Sequence, residues 1–123
     1  MTEYPEKRRD ARYVCEGGVE VREAAAGARG FWGTMSDISL GGCYIQTFSP
    51  MKKGAEVNFL IKIEAIEIRG SGTVVAMHPG VGMGIVFSHL AEPDRQRLDQ
   101  LLRSLAARDK DKPQGGGTMQ VIP

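Results

Sequence analysis

The sequence predicts an all-β domain with a C-terminal helix, its six short antiparallel strands forming a small barrel or a sandwich. The barrel is favoured because closure leaves no exposed strand edge. Three observations carry this prediction. Val57, Phe59, Ile61 and Ile63 alternate with Asn58, Lys62 and Glu64, with only Leu60 out of pattern, which is the period-2 signature of a half-buried strand. Short apolar runs between Tyr13 and Phe87 are separated by glycine, proline or polar punctuation. Beyond Pro93 the apolar spacing changes to that of a helix.

The first strand is expected over Tyr13 to Glu23 and, after the break Ala24 to Gly30, the second over Phe31 to Ser36. Phe31 and Trp32, at the start of that second strand, read as core or rim packing rather than as a ligand platform. A third strand over Cys43 to Phe48 is followed by the turn segment Ser49 to Gly54. The fourth is the alternating run from Val57 to Glu64. The apolar parity then shifts to Ile66 and Ile68, as a tight reversal near Glu64-Ala65 produces in a hairpin partner. Gly70 and Gly72 interrupt that fifth strand before Val74-Val75-Ala76, where a bulge or sharp bend can turn a barrel corner. The sixth strand, Gly82 to Phe87, follows the turn His78 to Val81.

In the helix Pro93 takes the first position, Asp94 lies in the first turn, and Leu98, Leu101, Leu102 and Leu105 recur at i, i+3, i+4 and i+7. Arg103 and Arg108 sit towards the C-terminal end, as the helix dipole favours. The leucine face either packs on the barrel or serves, wholly or partly, for dimerisation or docking. From Asp109 onward the chain is polar and glycine-rich, and its glycine triplet lacks the Lys-Ser/Thr of a phosphate loop. The expected organisation is a flexible lead over 1–7, one domain over 8–108 and a disordered tail over 109–123.

A chain of 123 residues, 41% hydrophobic and 25% charged, has room for one sizeable core. Its net charge of +1 excludes whole-surface attraction to nucleic acid or membrane, so any anion site must be local. Lys7, Arg8, Arg9 and Arg12 crowd into the first dozen residues and are the first candidate for it. No segment approaches the ~18 consecutive apolar residues of a membrane span, and the N-terminus has no signal-peptide run, so a cytoplasmic protein without membrane insertion is expected. Cys15 and Cys43 show neither metal-ligand nor disulfide-framework spacing and read as two reduced thiols in the core.

Two short stretches carry chemistry. Arg8-Arg9-Asp10-Ala11-Arg12 places three arginines in five residues, and Asp37-Ile38-Ser39-Leu40-Gly41-Gly42 follows between two strand candidates. Arginine suits an anionic guanine nucleotide in three ways: a fork to phosphate, a fork to the N7/O6 base edge, or stacking on the ring. Fixing such an arm costs ~1–2 kcal/mol per residue, whereas a charged hydrogen bond returns only ~1.5–3 kcal/mol, so two or three contacts must act together. Asp37 suits guanine N1–H and N2–H or an arginine, Ser39 a base-edge acceptor, and Gly42 a close backbone approach. Asp-x-Ser and Gly-Gly are equally ordinary turn chemistry.

Arg8 and Arg12 in Arg-x-x-x-Arg before the barrel, with Asp37, Ser39 and Gly42 in Asp-x-Ser-x-x-Gly inside it, resemble the hallmarks of the PilZ domain family. The likeness runs from about Lys7 to Leu105, including Gly82-Met83-Gly84-Ile85-Val86-Phe87 and the terminal helix. The resemblance implies a six-stranded antiparallel PilZ-like β-barrel that binds the bacterial second messenger cyclic di-GMP. It further implies that Arg8 and Arg12 hold phosphates and guanine with Arg9 assisting, that Asp37 and Ser39 read guanine, and that Gly41 and Gly42 belong to the same ligand-binding loop. No cofactor beyond the ligand and no metal is expected. The physical expectation is a free-standing adaptor, monomer or weak dimer, whose arm orders over the barrel on binding and so forms a surface for a downstream protein.

Three other classes compete with this reading. A basic arm on a small barrel also suits single-stranded nucleic acid, but aromatics are only 7% of the chain and few lie near the arm apart from Tyr4 and Tyr13. An enzyme is disfavoured because His78 and His89 lie in turn-like sequence without a nucleophile or acidic partner at a recognisable spacing, and both read as surface or structural. The third is a PilZ-like interaction scaffold that binds no nucleotide.

Overall fold

The computed structural model describes residues 11–25 and 30–111. Strands β1 (Tyr13–Glu23), β2 (Gly30–Ile38), β3 (Gly42–Gln46), β4 (Glu56–Ile63), β5 (Ile66–His78) and β6 (Gly82–His89) precede helix α1 (Glu92–Asp111). The strands close in the order β1-β2-β3-β6-β5-β4, all neighbours antiparallel. Because β1 pairs with both β2 and β4, the architecture is a barrel and not a sandwich.

Alternation fills the barrel from all sides. Val57, Phe59 and Ile61 of β4 point inward, as their spacing predicts, against Val19 and Val21 of β1 and Ile68 of β5. Each such side chain contributes about 1.5–3 kcal/mol when taken out of water. Outside the barrel Leu98, Leu101 and Leu105 are buried and Leu102 is half-buried, so the leucine face packs on the barrel wall at β5 and β1. Two polar ties hold the helix there. The Arg69 N–H of β5 donates to Asp94 Oδ1 at 2.8 Å, and Arg108 Nη2 donates to the Val14 carbonyl of β1 at 2.9 Å.

Several boundaries differ from the sequence expectation. β2 continues past Ser36 to Ile38, because a bulge at Ser36 interrupts the pairing with β3 between Met35 and Asp37. Met35 and Ile38 are both fully buried; strict alternation from Met35 would turn Asp37 into the core, and the extra residue faces it outward instead. β3 stops at Gln46, leaving Phe48 off the strand and 89% exposed. The helix starts at Glu92, with Pro93 second, and runs through Asp111, three residues into the segment read as tail. The predicted reversal at Glu64-Ala65 is a two-residue turn between paired Ile63 and Ile66, with Glu64 at a φ of 54°. Irregular register between Ser71 and Gly72, and between Val74 and Ala76, marks the bends of β5. Trp32 is a surface residue, 55% exposed, with the Lys62 ammonium 5.9 Å from its ring centroid.

Candidate functional site

The start of β1 and the end of β2 are paired, Val14 lying opposite Asp37, which brings the residue just before β1 to the β2–β3 corner. There Arg12 Nη1 donates to Asp37 Oδ1 at 2.5 Å, a contact across 25 positions. Both side chains remain accessible, 55% and 26% exposed, so the pair stabilises the fold by ~1 kcal/mol at most and is easily rearranged. One guanidinium N–H is engaged with Asp37, and the fork retains further donors for an anion.

The corner is built from its own polar groups. Ser39, only 3% exposed, donates its backbone N–H to the Gly42 carbonyl at 2.8 Å and its hydroxyl to the same oxygen at 3.3 Å. Its hydroxyl also accepts from the Gly41 N–H at 3.2 Å, while the Gly41 carbonyl accepts from the Phe87 N–H of β6 at 2.8 Å. The Ser39 hydroxyl is therefore committed within the turn. Gly42 faces a harder constraint: a Cβ there would lie 2.2 Å from the Ile85 carbonyl oxygen, so β6 packs against bare backbone. The close approach expected at Gly42 is thus made by the neighbouring strand.

Next in sequence, Cys43 turns inward. Burial pushes its thiol up to about 12, the Asp37 carboxylate adding to the rise and Arg12 opposing it. Burial raises the Cys15 thiol as well, against the lowering influence of Arg108 and with a small addition from Glu64. Both cysteines are free, buried and protonated, and neither is a nucleophile at neutral pH. Among the described residues no group of three or more His, Cys, Asp or Glu side chains is placed to hold a metal, and no helix is long and apolar enough to cross a membrane.

Arg12, Asp37, Ser39, Gly41 and Gly42 all line one open groove of about 870 Å³ on the outer face of the barrel. Arg8 and Arg9 lie outside the described residues. The sequence itself matches a known family: the PilZ domain profile fits residues 6–104, most of the chain.

The chain belongs to the PilZ domain family.

Solved structures share the fold. The PilZ domain of YcgR from Escherichia coli, solved with c-di-GMP, superposes with a TM-score of 0.70 at 12% identity, over 86% of this chain and 96% of that domain. The inhibitor of motility MotI/DgrA from Bacillus subtilis gives 0.71 at 17% identity, over 85% of this chain and 52% of its own. The MrkH–c-di-GMP complex of K. pneumonia gives 0.70 at 21% identity, over 86% and 55%. The chain thus spans about half the length of MotI/DgrA and MrkH. No curated protein matches the sequence.

The far side of the groove in this PilZ domain is formed by residues that the sequence reading did not single out for binding. Tyr44 of β3 and His78 of β5 are joined by a 2.8 Å hydrogen bond between the phenol oxygen and Nδ1, and Val75 and Val86 expose apolar surface beside them. Alternation in β3, with Cys43 and Ile45 inward, points Tyr44 outward and would have flagged it. Nothing local marks His78, which reaches Tyr44 only because the barrel places β5 one strand beyond β6.

Proposed function

We propose that this PilZ domain, residues 8–108, is a cyclic di-GMP receptor and adaptor that binds its ligand in the groove between Arg12 and the β2–β3 corner. The observation that carries the reading is the convergence of Arg12, Asp37, Ser39, Gly41 and Gly42 on one accessible surface in a chain of this family. Related structures solved with c-di-GMP, those of YcgR and MrkH, support the choice of ligand.

The chemistry follows from the groups available. Arg12, with Arg8 and an assisting Arg9, supplies planar donor forks for phosphate and guanine N7/O6; Asp37 accepts from guanine N1–H and N2–H. Ser39, Gly41 and Gly42 keep the corner in shape. Releasing Arg12 from Asp37 costs ~1 kcal/mol, less than the ~1.5–3 kcal/mol of each charged hydrogen bond to the ligand. Ligand binding then orders the arm carrying Arg8 and Arg9 over the barrel, and the composite surface signals to a downstream protein. The protein acts as a monomer or weak dimer in the cytoplasm, without catalysis, cofactor, nucleic acid or membrane insertion.

Calorimetric titration of the full chain with cyclic di-GMP tests this reading. Saturable binding is expected, weakened about 10- to 100-fold by Arg12→Ala and by Arg8→Ala, as loss of one charged hydrogen bond predicts. A wild-type chain that gives no binding, or an Arg12→Ala chain that binds as tightly as wild type, overturns it. Salt-dependent binding of oligonucleotides without binding of cyclic di-GMP would assign the basic arm to nucleic acid instead.

A further inference from the structure

We infer that Tyr44 and His78 form a second recognition wall of the groove, which holds and reads the base distal to Arg12; this rests on the cyclic dinucleotide reading above. Strand register places the wall. Asp37 of β2 pairs with Tyr44 of β3, Tyr44 with Gly84 of β6, and Gly84 with Ala76 of β5. At an inter-strand spacing of ~4.8 Å, that row runs roughly 14 Å across the outer surface. A base seated at the Arg12–Asp37 end leaves the rest of the row for a second base.

The row is shaped to receive one. Beyond Tyr44 it carries only Gly84 and Ala76, flanked by Val75 and Val86, which are 45% and 47% exposed, so the floor is low and apolar. Tyr44 leans over β6, where a Cβ on Gly82 would meet its Cε2 at 2.7 Å, and reaches His78, the partner of Gly82 on β5. The phenol oxygen lies 2.8 Å from Nδ1, with ring centroids 5.9 Å apart and planes inclined by 35°. The bare glycine strand below and the imidazole beyond thus hold an accessible aromatic ring in place. A prepositioned ring loses little freedom when a flat base packs on it.

The pair also presents a hydrogen-bond donor in either tautomer. If Tyr44 donates to Nδ1, the imidazole Nε2–H remains; if Nδ1–H donates to Tyr44, the phenol O–H remains. Guanine offers two acceptors, N7 and O6, on its Hoogsteen edge, whereas adenine replaces O6 with an N6 amino donor. N7 is common to both purines, so it is a donor directed at O6, the imidazole Nε2–H or the phenol O–H, that favours guanine at the second position.

Titrations with cyclic di-GMP and with the mixed dinucleotide cyclic GMP–AMP, alongside thermal melting, test the assignment. The mixed ligand keeps one guanine for Arg12 and Asp37 and changes the other base. His78→Ala and Tyr44→Phe are expected to weaken cyclic di-GMP binding about fivefold and to shrink the preference over cyclic GMP–AMP by a similar factor. Tyr44→Ala is expected to lose more by removing the stacking face, and His78→Ala and Tyr44→Phe should melt as wild type does. If they keep both the affinity and the preference while Arg12→Ala loses binding, the pair is structural and the inference fails alone. If wild type binds neither ligand, or Arg12→Ala binds as wild type, the receptor reading fails and takes the inference with it.

Discussion

The two corners β2–β3 and β4–β5 are both tight hairpins, yet they are built on opposite principles. At β4–β5 the turn is a geometric link: Ile63 pairs with Ile66, Glu64 and Ala65 are exposed, and Glu64 takes a φ of 54° that an unbranched L-residue tolerates at some cost. At β2–β3 the turn is internally bonded through the buried Ser39 hydroxyl, tied to β6 through Gly41, and pressed against Ile85 at Gly42. One corner joins two strands; the other joins three and displays Asp37 beside Arg12. The difference teaches that the Asp-x-Ser-x-x-Gly stretch contributes to folding at several of its positions, with Asp37 the polar side chain it leaves towards the groove.

Substitutions separate the two designs. The largest effect is expected from Gly42→Ala, because the new methyl collides with the backbone of β6 and cannot be relieved by a side-chain rotation. A loss of about 3 kcal/mol in denaturant unfolding is predicted, and an unchanged midpoint would show that the β3–β6 approach is less constrained than the structure shows. Ser39→Ala should cost about 1–2 kcal/mol by removing the acceptor for the Gly41 N–H. If that variant instead keeps full stability and loses only ligand affinity, the hydroxyl serves the ligand directly. The smallest effect, of opposite sign, belongs to the plain corner: Glu64→Gly should raise stability by about 0.5–1 kcal/mol by relieving the left-handed conformation, read as a shift of the unfolding midpoint.

Much of the fold was legible in the sequence wherever one face of an element decides its burial. The β4 alternation and the parity shift into β5 report which side meets the core, and the leucine spacing of α1 marks an apolar face that the barrel wall then buries. The reading broke at Ser36, where the inward pattern of β2 changes phase. A bulge inserts one residue without changing local composition, so a period rule ends the strand where the barrel merely resets it. The same limit applied to the groove. The motif marked Arg12 and the corner, but no spacing in the chain connects Tyr44 to His78, which lie 34 positions apart and meet across a strand made of glycines on that face.

By itself, then, the sequence determined the class of fold, the helix and its leucine face, the reduced thiols, and the Arg-x-x-x-Arg and Asp-x-Ser-x-x-Gly stretches that are proposed to bind the nucleotide. Those properties follow from local periodicity and from what each side chain is. Only the tertiary structure decided that β2 carries Asp37 outward, that the Ser39 hydroxyl is turned into the corner, and that Tyr44 and His78 face the same groove as Arg12. These depend on inter-strand register and barrel closure, which set distances between residues far apart in the chain and leave no trace in its local pattern.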